Sequence, residues 1–236
     1  MIGIPVAMAV VLGALTWMLV GQWRARRRPH QLAWAVALGA GCAGTVAFIL
    51  SNVTGGDPLL FRLYYLGGAV LIAPLLGVGS AYLLGKPLWA RLMLAVAVVS
   101  GVCALVGLVG APLSPGALAA LGIAPGTTLI TAPLVVVSVI VGNSLGTIAV
   151  VGVAVVSLLR SWRGGAPARF AWGNGLIAAG TLVIAAAGTM ARLGDGAGFW
   201  ATMTVGWFVV YTGVTTVSAV RHPAAQTAAA MPAHAR

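Results

Sequence analysis

Between Ile4 and Val20 the chain carries no charged side chain, and such a run recurs six more times: Leu32 to Leu50, Leu63 to Leu84, Leu92 to Ala111, Leu129 to Leu159, Phe170 to Met190 and Phe199 to Val220. Each is near the roughly 20 residues that cross a hydrocarbon core as a helix. In lipid every backbone N–H and C=O must be paired within the protein, and a helix does this within a single segment. The expected fold is therefore all-α: a polytopic membrane protein with seven transmembrane helices over residues 1–222 and a short Ala-rich tail, 223–236, too small to fold alone. Only 6% of the residues are charged, against about 25% in a soluble domain.

The charges that remain set the orientation. Thirteen Lys and Arg face two acidic residues, for a net charge of +11. In a soluble protein that balance would suggest nucleic acid; here the basic residues sit at helix ends, where they face anionic inner-leaflet headgroups. No basic residue precedes the first apolar run, and arginines follow it. This order favours a retained first helix with its N-terminus outside over a cleaved signal peptide. Arg24, Arg26, Arg27, Arg28, Lys86, Arg91, Arg160, Arg163, Arg169, Arg221 and Arg236 then fall on the cytoplasmic side, leaving only Arg62 and Arg192 outside. The C-terminus is expected in the cytoplasm, and the location is the cell membrane, a bacterial inner membrane. The uncharged Pro- and Gly-rich loop after the fourth stretch is expected to pack as an outer cap.

Two segments echo each other. "WRARRRPHQLAW" from Trp23 and "WRGGAPARFAW" from Trp162 each begin at the cytoplasmic end of an odd-numbered stretch and finish inside the next; "AGTVAFI" from Ala43 and "AGTLVIA" from Ala179 match at nearly the same offset. Duplication of a three-helix unit would give a 3+1+3 parallel repeat with the fourth helix as linker. Convergence is the other reading, because Trp anchors interfaces and Pro enters turns whatever their ancestry.

Candidate sites are few. Ionisable groups at membrane depth are the usual functional residues of such proteins, yet the only carboxylates, Asp57 and Asp195, lie in outer loops beside Arg62 and Arg192, where ion pairs are expected. Uncharged polar residues inside the helices are the remaining candidates for a ligand cavity: Tyr64, Tyr65, Ser80 and Tyr82 in the third stretch, Asn143, Ser144 and Thr147 in the fifth, Asn174 in the sixth, and Tyr211, Thr212, Thr215 and Thr216 in the seventh. Asn143 and Asn174, each beside Gly, are expected to meet between the fifth and sixth helices, either as packing contacts or as the wall of a pocket. Cys42 and Cys103 read as small packing residues. No metal site, catalytic constellation or cofactor is expected. The seventh stretch has no lysine for a retinal Schiff base.

From Phe61, "FRLYYLGGAVLIAPLLGVGSAYLLG" resembles the third helix of the seven-helix sensor region at the N-terminus of many bacterial histidine kinases, and "RRRPHQLAWAVALGAGCAGTVAFIL" is similar to its second helix. The likeness covers about fifty residues, and no kinase or other output domain is expected beside it, a departure from that family's pattern. It implies a non-enzymatic membrane module that senses or binds a small apolar or amphipathic ligand, or a membrane partner, and works through another protein. The competing expectation is a small transporter or channel built from two triplets. A path crossing the bundle would favour transport, and a cavity closed toward the cytoplasm would favour sensing.

Overall fold

The computed structural model describes residues 2–219; the tail, with Arg221 and Arg236, lies outside the described residues. All regular structure in this part is helical. The helices are α1 (Gly3–Arg26), α2 (Pro29–Val53), α3 (Pro58–Leu83), α4 (Pro87–Val109), the short α5 (Pro115–Leu121), α6 (Pro133–Arg163), α7 (Ala168–Arg192) and α8 (Gly196–Ala219). Six of them, α1, α2, α3, α4, α6 and α7, are long and apolar enough to cross a membrane. The chain is thus an integral, multi-pass membrane protein. α8, at 24 residues, has a length comparable with those six.

Prolines decide where helices begin. Pro29, Pro58, Pro87, Pro115 and Pro133 each occupy the first turn of a helix, where a missing N–H costs nothing and the fixed φ suits the helix. Hydropathy alone places several starts a few residues too late. The fifth stretch differs the other way: its helix begins at Pro133, and Leu129 to Ala132 belong to the preceding loop. Asp57 and Asp195 serve as N-caps, accepting from Leu60 N at 2.9 Å and Gly198 N at 2.8 Å.

The turns at Arg27–Arg28, Leu84–Lys86 and Gly164–Pro167 gather at one end of the bundle, called here the basic end; the turn at Thr54–Asp57, the loop 110–132 and the turn at Leu193–Asp195 gather at the other, the capped end. Gly85 (φ 68) and Gly165 (φ 64) make two of the basic-end turns in the left-handed conformation that glycine adopts without strain.

Six helices close a ring. α1 packs on α2, α2 on α3, α3 on α6, α6 on α7, α7 on α8, and α8 returns to α1, while α4 packs against α3 and α6. Glycines let backbones approach where the ring is tightest. A Cβ on Gly44 of α2 would lie 2.9 Å from Gly68 N of α3, and one on Gly180 of α7 would lie 2.8 Å from Gly206 O of α8.

α3 is interrupted. Residues Tyr65–Leu71 form a π-helical segment just before Pro74, where the pyrrolidine ring obstructs an ordinary α-turn. In an i→i+5 register the donor for the Ala69 carbonyl would be residue 74, which has no N–H. Asn143 of α6 supplies one instead, its Nδ2 donating to Ala69 O at 3.0 Å. Gly146 of α6 faces the same break, since a Cβ there would collide with the Ala73 carbonyl and lie 2.8 Å from Pro74 N.

Candidate ligand-binding cavity

The capped end is closed by aromatic packing. Phe48 lies 4.6 Å from Trp200 and 4.8 Å from Tyr64, ring centre to centre, and Phe61 lies 5.6 Å from Tyr64, distances at which offset and edge contacts add to burial. Loop 110–132 is stitched over this plug from both sides: Trp200 Nε1 donates to Ile123 O of the loop at 2.8 Å and Tyr64 Oη to Pro125 O at 3.4 Å, while the loop's own Thr127 Oγ1 donates to Ala191 O of α7 at 2.8 Å. Arg62 closes the end of α4, with Nε donating to Leu108 O at 2.8 Å and Nη2 to Ala111 O at 3.1 Å. Both carbonyls also accept a backbone N–H, from Ala111 and Leu113, and a cation is favoured beside the C-terminal end of a helix.

The expected outer ion pairs are therefore replaced by capping. Asp57 and Asp195 each hold a helix N-terminus and Arg62 a C-terminus. Arg192 sits exposed in the last turn of α7. No ion pair forms among the described residues. A helix end offers each of these groups a fixed partner a few residues away, whereas a pair between exposed loops must order two long side chains for little gain.

Below the plug the ring opens into a cavity of about 350 Å³. All six ring helices line it and α4 does not. Leu15, Leu38, Ile72, Ile184 and Trp207 form its deep end; Gln22, Arg26, His30, Leu83 and Ser218 form its mouth at the basic end. The cavity does not cross the bundle, and it reaches the basic end instead of closing there. A path crossing the bundle, the pattern expected to favour transport, is not seen among the described residues.

Three of the expected cavity residues line it: Ser80, Thr147 and Asn174. The others are used elsewhere. Tyr64 and Tyr65 belong to the plug. Asn143 pairs with the α3 break, not with Asn174, which donates to Phe170 O of its own helix at 2.8 Å. Thr212, Thr215 and Thr216 turn their hydroxyls back onto carbonyls of α8. Tyr82, Ser144 and Tyr211 are not among the lining residues.

Sequence reasoning missed the polar groups at the mouth. Gln31 Nε2 donates to Gln22 Oε1, and Gln22 Nε2 to Ser218 Oγ, both at 3.3 Å, linking α2, α1 and α8. Trp34 Nε1 donates to Leu76 O of α3 at 3.1 Å, and its ring meets His30 edge-on at 5.3 Å. Beside the arginine turn, Gln22 and Gln31 read as ordinary solvated helix-end residues. Yet Gln31 is only 2% exposed, and its Oε1 has no hydrogen-bond partner among the described residues. The same holds for Nε1 of Trp207, also 2% exposed. One signal was available: Trp200 and Trp207, two turns apart, share a face of α8.

The two echoing turns differ in backbone and in use: Arg27 and Arg28 alone link α1 to α2, with Pro29 the first residue of α2, whereas four residues, Gly164–Pro167, link α6 to α7, with Pro167 as the N-cap. Trp34 faces the cavity, while Trp172, its counterpart, is 73% exposed. Arg27 stacks over Trp23, 4.7 Å from the ring centre, and Trp162 stands exposed. Among the described residues no group of three or more His, Cys, Asp or Glu side chains is placed to hold a metal. The lining includes His30 and Arg26 but no carboxylate and no thiol. No protein-family model, curated protein or solved structure matches the chain.

Proposed function

We propose that this protein is a seven-helix bundle of the bacterial inner membrane, with the basic end in the cytoplasm, that binds a small amphipathic molecule between its helices and signals its presence to a partner protein. The observation that carries this reading is the cavity: about 350 Å³, within the range of small-molecule sites, walled mainly by aliphatic side chains, with Gln22, Arg26, His30 and Ser218 at its mouth. A lining without carboxylate or thiol favours binding over catalysis. The likeness of α2 and α3 to the sensor region of bacterial histidine kinases supports an output through another protein. The arginines of the basic end support its cytoplasmic placement.

Photolabelling tests this. A diazirine-bearing decanol, irradiated with the protein in nanodiscs, should modify the segments around Val150 and Val214, which line the cavity. Excess plain decanol should compete, and Val150→Trp should remove the labelling by filling the space. Modification confined to the exposed face of α4, at Val98 and Val102, would refute the reading.

A second reading is a transporter, favoured by the ring itself. Exchanging the triplet α1–α2–α3 with α6–α7–α8 maps the ring onto itself with α4 left over as linker, and the close glycine approach recurs between α2 and α3 and between α7 and α8. Transport requires the plug to open. In a protein whose native cysteines are replaced by alanine, Phe48→Cys should then react with a water-soluble maleimide from the capped end; protection there, with photolabelling intact, favours the sensor.

A further inference from the structure

We infer that the occupant of the cavity is a single-chain amphiphile with an anionic oxygen head, a carboxylate or phosphate, held by Arg26 at the mouth with its alkyl chain running inward. This rests on the reading of the cavity as a binding site and deepens it to the chemical class of the ligand. The wall changes character along its length. Gln22, Arg26, His30 and Ser218 stand at the mouth, and Ser80 and Asn174 lie about one helical turn further in. Beyond them the lining is mainly aliphatic, with Leu15, Leu38, Ile72, Val150 and Ile184. Along α1 it runs from Arg26 back to Leu15, about 16 Å at about 1.5 Å per residue. The volume of about 350 Å³ is at the small end of the range for ligand sites, which suits one alkyl chain and not the two of a bilayer phospholipid.

Charge selects the head. Arg26 is the only Lys or Arg among the lining residues, and no hydrogen bond or ion pair occupies its side chain among the described residues. The chain's two carboxylates, Asp57 and Asp195, are N-caps at the capped end, away from the mouth. Arg27 and Arg28 follow Arg26 directly, and Arg163 and Arg169 flank the turn between α6 and α7 at the same end. The local field is therefore positive and repels an ammonium head. A carboxylate or phosphate accepts charge-assisted hydrogen bonds from a guanidinium, roughly twice as strong as the neutral bonds open to a hydroxyl. The head cannot move deeper, because no cation lines the inner wall to compensate a buried charge. The positive-inside rule accounts for arginines at this end in general; Arg26 differs from the others in lining the cavity.

The test is competition against the diazirine-bearing decanol for labelling around Val150 and Val214, with the full chain in nanodiscs of zwitterionic lipid and each competitor counted per bilayer lipid. Decanoate, at a pH where it is fully ionised, should compete about tenfold more effectively than decanol, the factor expected of one hydrogen bond to a charged group, and decylamine should be the weakest. Arg26→Gln should remove the advantage of decanoate while decanol still competes, so that loss of the head contact is not loss of the fold. Arg24→Gln removes the same charge from an exposed arginine in the same helical turn that does not line the cavity, and the preference should survive it. Equal competition by decanoate and decanol, or equal loss of preference in Arg24→Gln and Arg26→Gln, overturns the anionic head and leaves the binding site standing. Phosphatidylglycerol mixed into the nanodisc should not displace the label; displacement overturns the single chain. No labelling around Val150 and Val214 in the native protein overturns both the inference and the binding site.

Discussion

Trp200 and Trp207 lie on the same face of α8, 1% and 2% exposed, and are used in opposite ways. The indole N–H of Trp200 is bound to the Ile123 carbonyl of the cap loop, inside a cluster of six aromatic residues with Phe48, Phe61, Tyr64, Tyr65 and Phe199. Seven residues further along, the same group on Trp207, a residue that lines the cavity, is buried without a partner. The aromatic plug therefore contains polar groups that hold structure together, whereas below it Asn143, Trp207 and Gln31 each keep one buried polar atom whose pairing the fold leaves incomplete. In an apolar bundle, residue type does not distinguish structural from binding roles.

That contrast can be broken by substitution, with unfolding in detergent followed by circular dichroism. Trp200→Ala, which removes a packed ring and its bond together, should cost about 3–5 kcal/mol; a loss below about 1 kcal/mol would mean that the plug is not a structural core. Arg62→Met leaves the carbonyls of Leu108 and Ala111 without their charged donor, and the expected cost is about 1.5–3 kcal/mol. Replacing Asn143 by Leu strips the donor from the Ala69 carbonyl at the α3 break, for about 1–3 kcal/mol; retained stability would show that the π-helical segment pairs its own backbone. Trp207→Phe should cost about 1 kcal/mol, all of it for the packed ring atoms it removes, since the N–H it deletes has no acceptor to lose. Tyr64→Phe removes only a long 3.4 Å bond and should cost less than about 1 kcal/mol. If Trp207→Phe proves as damaging as Trp200→Ala, the two tryptophans are not different in kind.

Much of the architecture is legible in the chain. Uncharged runs of about 20 residues specify spanning helices because lipid forbids unpaired backbone, and six such helices are present. The uncharged Pro- and Gly-rich loop does pack as a cap. The candidate site was legible only in part. Ser80, Thr147 and Asn174 line the cavity, but Asn143 and Tyr64, the most conspicuous polar residues by sequence, are consumed by structure, one at a broken helix and one in a plug. Nothing local distinguishes an Asn that completes a neighbour's backbone from one that faces a ligand, because the difference lies in what stands opposite, on a helix about seventy residues away. Gln31 illustrates the converse: its place beside four arginines suggests solvent, and packing of α1 and α8 over it makes it the most buried polar group at the mouth.

By itself, then, the sequence determined the solvent, the helices and the gathering of arginines around alternate turns, since these follow from hydropathy, backbone hydrogen bonding and charge, all of which act within one segment. Ring closure by α8 against α1, the exclusion of α4 from the cavity wall and the choice of which polar groups are paired were decided only by tertiary structure. They depend on which small residues meet across helices, as Gly44 meets Gly68 and Gly146 meets the Ala73 carbonyl. Such contacts are short-ranged in space and unrelated to distance along the chain.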